Sequence, residues 1–268
     1  MVTYILESYP ITQNRACRLI NISRSVFTYE AQVPCDDELI AKELTVLAER
    51  HKRYGFGKIF SKIRKAGFVW NHKRVYRVYC SLKLNLKIKP KKRLPAREKI
   101  RLAQPKQINE SWSLDYMSDA LINGKKFRTA NVIDDHNREV LGIKACTSLP
   151  AQRVVEFLDD IVVSRGRPKQ LRVDNGPENI AKIMRNWANQ HGIDLKFIQP
   201  GKPAQNAYIE RFNRTYREEV LNMYLFKNIE EVQLITDQWV SEYNNDRPHY
   251  SLGNLTPKEY ITQNKILF

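Results

Sequence analysis

Cysteine is scarce and scattered, four residues in 268 (Cys17, Cys35, Cys80 and Cys146) with no Cys-x-x-Cys pair. That pattern argues against a zinc module and for a reducing compartment. No run of about 18 apolar residues occurs, so no stretch has the length of a membrane-spanning helix. Met1 to Ile11 lacks a basic start and a small-residue cleavage site, so it does not read as a signal peptide. These absences point to a cytoplasmic protein. Heptads are missing too: Leu39/Ile40, Leu44 and Leu47 give way to charge before a coiled coil could form.

Acidic residues are nearly absent from one region. Residues 50–106 hold 20 Lys or Arg and a single acid, Glu98. The formal net charge is +16, and its location tells more than its size. Residues 1–110 carry 24 basic and 9 acidic side chains, and the rest carry 21 and 20. A basic half beside a balanced half implies a partner of dense negative charge, with nucleic acid the first candidate.

At this length a large core with one or two small modules is expected. Residues 1–34 read as a short helical segment. Within it, 12–29 look like two helices with a turn at Asn21 and an N-cap at Ser23, a weak helix-turn-helix pattern. Residues 35–86 read as a basic helical DNA-binding module. One helix runs from Asp36 to Arg53, a second follows the Tyr54–Gly57 turn and ends at Gly67, and a third is capped by Asn71. On the third, Val75, Val78, Tyr79 and Leu82 face inward, while Lys73, Arg74 and Arg77 are candidate DNA contacts. A basic surface helix touching only phosphates is the competing reading. Residues 87–106, with Pro90, Pro95 and Pro105 among cations that include Lys91, Lys92 and Arg93, read as an extended linker able to follow a phosphate backbone.

The segment 107–268 has the pattern of an α/β core. Trp112, Leu114 and Tyr116 alternate as in a strand, and Asn123-Gly124 predicts a type I′ hairpin. Strands over 127–134 and 138–146 follow. Then come a helix from Pro150 to Gly166, a short strand to Asp174, a helix over 177–190 and a strand over 193–198. Three antiparallel strands followed by alternating helices and strands describe a mixed sheet with helices on both faces. A helix starting near Ala204 carries Ile209, Phe212, Tyr216 and Val220 as its packing face, with Glu210, Asn213, Arg214 and Arg217 beside it. Asn228 caps a last helix whose face is Val232, Ile235, Trp239 and Tyr243.

The candidate chemistry lies in three carboxylates. Asp115 stands in the middle of an apolar strand, where an unpaired charge is costly. Asp174 ends another strand, where open α/β sheets bind ligands. Glu210 lies 36 positions further on, a path that brings the chain back to that strand end. An i,i+4 ion pair of Glu210 with Arg214 is the plainer alternative. With no His or Cys cluster nearby, the three form an all-oxygen site suited to Mg²⁺ or Mn²⁺. Two such ions are what phosphoryl transfer uses. Asp134 and Asp135 are expected to shape a turn, Asp119 to be a surface residue, and Glu178 to complement a helix dipole. His249 is expected to be structural or to contact DNA.

Trp112-x-x-Asp115, Val173-Asp174-Asn-Gly-Pro-Glu178, Pro200-Gly-Lys202-Pro-x-Gln-Asn-x-Tyr-Ile-Glu210-Arg-Phe-Asn and Tyr243-Asn-x-x-Arg-Pro-His249 resemble the integrase-core transposases of bacterial insertion sequences. The match is to the downstream-frame (OrfB) protein of the IS-three family. It covers 107–262 and, less specifically, 36–86. The resemblance implies a ribonuclease-H-like fold preceded by small basic helical modules. It also implies an Asp/Asp/Glu metal site at Asp115, Asp174 and Glu210, with cleavage and joining of transposon ends. Met117 and Ile180 depart from common family residues, but neither removes a ligand. Lys202, Asn213, Arg214 and Arg217 join the candidate DNA contacts. The implied partners are the element's ends and target DNA, further copies of the chain on that DNA, and an upstream-frame protein or frameshift fusion. A nucleoid-associated cytoplasmic setting follows. A plain nuclease would not need the basic half, and a non-catalytic DNA-binding regulator would leave Asp115 unexplained. A retroviral-type integrase is disfavoured by the missing His/Cys zinc module.

Overall fold

The computed structural model of the chain describes residues 1–29, 36–86, 105–199 and 203–265. Lys91, Lys92, Arg93 and Lys202 lie outside the described residues.

Three short helices open the chain: α1 (Val2–Ser8), α2 (Gln13–Leu19) and α3 (Arg24–Phe27). They gather around Val2, Ala16 and Cys17. Asn21 turns the chain at φ +54°, a conformation asparagine tolerates. The Ser23 hydroxyl caps α3 by accepting from Val26 N at 3.3 Å. Helix α1 precedes the two helices expected over 12–29, within the segment read as helical.

A second unit packs α4 (Asp37–Arg50), α5 (Phe56–Lys65) and α6 (His72–Ser81) around Ile40, Leu44, Ile59, Ile63, Val75, Val78 and Tyr79. The turn after α5 is made at Gly67, φ +91°. The Asn71 side chain accepts from Lys73 N at 2.8 Å and starts α6 as expected. Leu82 does not face inward. It follows the last residue of α6 and is 37% exposed, because the helical face that buries Val75, Val78 and Tyr79 has already ended.

The core is one five-stranded sheet. Its strands are β1 (Ser111–Ala120), β2 (Lys126–Asp134), β3 (Val140–Cys146), β4 (Gln170–Val173) and β5 (Asp194–Phe197), in the order β3-β2-β1-β4-β5. The first three form an antiparallel meander, and β4 and β5 add in parallel beside β1. Between β3 and β4 lies α7 (Ala151–Arg165). Between β4 and β5 the expected single helix is broken into α8 (Pro177–Ile180) and α9 (Lys182–His191). Ala181 at the break adopts ψ 144°, an extended value that interrupts the helix. After β5, a 3₁₀ turn (Pro203–Asn206) leads into α10 (Ala207–Tyr216), whose last turn widens into a π turn over Arg217–Leu221. Then come α11 (Ile229–Asn245), capped by Asn228, and α12 (Pro257–Lys265), a helix where only a tail was expected.

Both faces of the sheet are covered. Trp112, Leu114, Ala130, Val132, Leu171 and Val173 pack on one side against Val154, Leu158 and Ile161 of α7 and Trp187 of α9. On the other side Met117, Phe127, Ile133, Val140 and Ile143 meet Ile209, Phe212, Tyr216 and Val220, the full face expected of the α10 segment, and Val232 and Tyr243 of α11. Double coverage explains why β1 does not alternate inside and outside: Ser111 and Ser113 are as buried as Trp112 and Leu114.

The β1–β2 connection corrects one sequence expectation. Gly124 has φ +79°, and no positive φ occurs at Asn123, so the turn is not type I′. Gly124 N donates to Leu121 O at 2.9 Å and Leu121 N to Lys125 O at 3.0 Å. This is a three-residue loop, a type I turn closed by a left-handed glycine.

On β3, Gly142 lets α7 approach closely. A Cβ there would stand 3.0 Å from the Phe157 ring and 3.2 Å from the Ile161 side chain. Gly142→Val is therefore expected to overpack the sheet–helix layer and cost about 1–3 kcal/mol, read as a lower urea midpoint at unchanged m-value.

Candidate active site

The parallel pairing of β1 and β4 sets Ser111 opposite Gln170 and Ser113 opposite Arg172. Two residues further along each strand stand Asp115 and Asp174, on the same face and at the same level. Adjacent strands lie about 4.8 Å apart, so this register sets the two aspartates side by side at the carboxyl end of β4.

The third carboxylate is positioned by an amide. Asn213 on α10 donates from Nδ2 to Asp115 Oδ2 at 2.8 Å. Its Oδ1 accepts at 2.7 Å from Asn131, the residue paired with Asp115 across β1 and β2. This chain of three polar side chains pins α10 against the sheet. Glu210, three residues earlier and so one turn back on the same side of α10, is exposed, and its charge acts on Asp115. No ion pair joins Glu210 to Arg214 among the described residues, so the plainer reading of that spacing is not realised.

Asp174 is held by its own loop. Its Oδ1 accepts from Gly176 N at 3.0 Å and from the Asn179 side chain at 2.7 Å. A Cβ at Gly176 would sit 2.9 Å from that oxygen, so the glycine makes room for the carboxylate. Asn179 in turn accepts from the Tyr116 hydroxyl at 2.9 Å, linking the loop to the residue after Asp115. Arg128 lies over the Tyr116 ring at 4.9 Å and pairs with Glu178. Glu178 thus supports the site from behind through Arg128. Tyr116, Arg128, Asn131 and Asn179 were not among the site residues expected from the sequence. Asn131 becomes visible only once the β1–β2 register is known.

Burial pushes the Asp115 carboxyl up to about 6, and the negative charges of Asp174 and Glu210 add to that rise; hydrogen bonds from Tyr116 N and Asn213 work against it. All three acids therefore act on one spot. Among the described residues no three His, Cys, Asp or Glu side chains form a finished metal cage. The aspartate oxygens are instead turned onto neutral N–H donors. A hard divalent cation fits this donor set: its oxygens repel one another, keep free lone pairs, and include no imidazole or thiol.

The remaining acids have other duties. Asp134 accepts from Asn109 N and His136 N, both at 2.8 Å, and shapes the turn after β2. Asp135 accepts from Ser111 and Ser113 and pairs with Arg172 at 3.1 Å. His249 is buried against Tyr243, which burial makes structural; it holds the imidazole down to about 3.

The candidate DNA contacts separate into two groups. Lys73 and Arg214 are exposed and make no ion pair among the described residues. Arg74 is tied to Asp36 and Asp37, and Arg77 to Asp37, so both brace α6 against the start of α4. Asn213 is turned inward onto Asp115 and is buried. Arg217 pairs with Asp119 at 3.1 Å and donates to Ser118 O at 2.9 Å. The open groove at the start of α6 is lined instead by Arg64, Trp70, His72 and Lys73.

Asp115 gives a pH prediction. Its unfolded carboxyl titrates near 3.9, and burial raises the folded value to about 6. The folded state thus holds a proton that the unfolded chain releases. That advantage is complete at pH below about 4 and lost as pH rises through about 6. At pH 8 the ionised group costs up to about 3 kcal/mol. Asp115→Asn is expected to raise the thermal midpoint at pH 8 and leave it unchanged at pH 3.5, and saturating Mg²⁺ should narrow the pH 8 gap.

Residues 105–203 and 191–257 each match an integrase core domain, and residues 34–93 an HTH-like domain. The chain is 36% identical to the uncharacterized 31.7 kDa protein of insertion element IS407 from Burkholderia multivorans, over 97% of this chain and 94% of that one. It is 27% identical to the putative transposase InsK of IS150 from Escherichia coli, over 96% and 95%. Among solved structures, the HTLV-2 integrase catalytic core in complex with magnesium overlaps 56% of this chain and 92% of its own at TM-score 0.41 and 13% identity. The chain belongs to the integrase-core family of insertion-element transposases.

Proposed function

We propose that the protein cleaves DNA at the ends of its insertion sequence and joins the freed 3′ ends to a target, using divalent metal ions held by Asp115, Asp174 and Glu210. The observation that carries this reading is the matched register of Asp115 and Asp174, with Glu210 brought to them on a helix clamped at Asn213. When bound, a pair of Mg²⁺ ions, or Mn²⁺, would supply an activated attacking oxygen and charge neutralisation at the leaving one. The chain's part is positional. Asn213 and Tyr116 N orient the Asp115 carboxylate, and Asn179 and Gly176 N orient that of Asp174. Exposed Glu210 completes the set from α10, while exposed Arg214, one turn further on, can meet phosphates.

The division of labour follows the charge. Residues 35–86 and the basic segment 87–106 would bind DNA, 107–268 would carry the chemistry, and 1–34 would add a small helical module. Two ends and a target call for several copies on the DNA, and an upstream-frame partner or fusion would supply end specificity. Action on the chromosome places the protein at the nucleoid.

Asp115→Asn, Asp174→Asn and Glu210→Gln are each expected to reduce joining of labelled DNA ends at least a hundredfold with DNA affinity within about threefold of wild type. Wild-type joining by any one of them would overturn the assignment. The DNA affinity itself should be electrostatic. With about six phosphates contacted, log K should fall against log[salt] with a slope near −5, and an Arg64→Ala/Lys73→Ala pair should flatten that slope more than Arg74→Ala does.

A further inference from the structure

The helical unit α4–α6 is seated on the catalytic core through one corner. Residues 51–86 contain no acid, so its cations can be paired only from outside that stretch or from the start of α4. The core supplies partners for two of these and for Arg50 just before them. Arg50 reaches Glu242 on α11 at 2.9 Å, Lys58 lies 3.8 Å from Glu219, and Lys65 meets Glu259 on α12 at 2.5 Å. At the centre is Arg247, only 6% exposed. It forks onto Glu219 at 2.7 and 3.1 Å. Its guanidinium lies 5.8 Å from the ring of Tyr54, contributed by the helical unit, and 5.3 Å from that of Tyr243, contributed by the core. Tyr54 is itself buried, and the Lys58 ammonium stands over its ring at 4.9 Å. Burial lowers the Lys58 ammonium to about 8, as expected where a cation is taken from solvent.

The location of Glu219 gives this seam its meaning. Glu219 lies in the π turn that continues α10, nine residues beyond Glu210, roughly 13 Å at 1.5 Å per residue. Trp239 of α11 also donates to it, at 3.2 Å. One end of a single helical segment carries the third catalytic carboxylate, and the other end carries the hub on which the helical unit rests. The groove at the start of α6 uses different side chains, Arg64, Trp70, His72 and Lys73, so docking leaves it free.

We propose that this seam is a working interface, in which the helical unit docks on the far end of the Glu210 helix and Glu219 acts as a positioning residue. DNA held in the α6 groove then moves with the Glu210 helix as one body. The inference rests on the transposase reading for the DNA in the groove and for its activity readout.

The test reverses charge on the core side, so that a loss of DNA binding cannot explain the result. In the full chain, Glu242→Arg/Glu259→Arg is expected to speed amide hydrogen exchange over 51–65 at least tenfold. It should lower DNA joining at least tenfold, with DNA affinity undiminished. Adding Arg50→Glu/Lys65→Glu restores net charge and complementarity, and should return both readouts to within about threefold of wild type. Unchanged exchange in the reversed variant would overturn the docking. Faster exchange with wild-type joining would overturn the coupling, as would failure of the four-residue swap to restore joining. A wild-type chain inert in joining, with exchange responding as expected, would count against the function proposed above and in favour of the docking.

Discussion

The hydrogen bond from Asn213 to Asp115 is the constraint on which the site depends. It spans 98 positions of sequence and ties a helix to the middle of a strand. An aspartate within β1 is expensive unless hydrogen-bonded, and the donors that stabilise it come from Tyr116 N and from α10. The same contact brings Glu210 to the aspartates. A carboxylate useful for chemistry is thereby also the anchor of its own neighbour. Apolar packing of Ile209, Phe212 and Tyr216 sets the depth of α10, and the amide sets its rotation.

A second polar knot, Glu219 with Arg247, stands at the other end of that helical segment. The pair is desolvated and enclosed by aromatic rings, so it contributes direction more than net stability. The π turn at 217–221 inserts an extra residue into the helical path and lets Val220 stay in the core while Glu219 meets Arg247. Such turns occur disproportionately where function constrains a helix.

Much of this was legible in the sequence because local chemistry coincided with global need. Ser23, Asn71 and Asn228 cap helices where their spacing to apolar runs indicated. The α10 face could be read from its 3.6-residue period, and Asp115, Asp174 and Glu210 from their placement relative to strands and a helix. What escaped depended on pairing between distant segments. The alternation of β1 hides the burial of Ser113, because a serine hydrogen-bonded to Asp135 is polar in composition and interior in location. Asn213 looked like a surface amide until β1 and β2 were in register. Arg74 and Arg77 looked available until Asp36 and Asp37 at the start of α4 came to face them. The hairpin turn was misjudged because Asn-Gly serves two turn types, and flanking Leu121 decided between them by closing a three-residue loop.

The order of the sheet carries a consequence for how the molecule is made. The meander β1–β3 is complete by Cys146, and α7 and α9 cover one face of the sheet by His191. The opposite face, with Phe127, Ile133, Val140 and Ile143, is covered only by residues from 207 onward. During synthesis from the N-terminus, a half-dressed sheet therefore waits on the ribosome for its last helices. Over that interval it offers an oily surface to chaperones and to other nascent chains. The polar pair Asp115–Asn131 sits in that exposed patch, where it interrupts the apolar surface until α10 arrives.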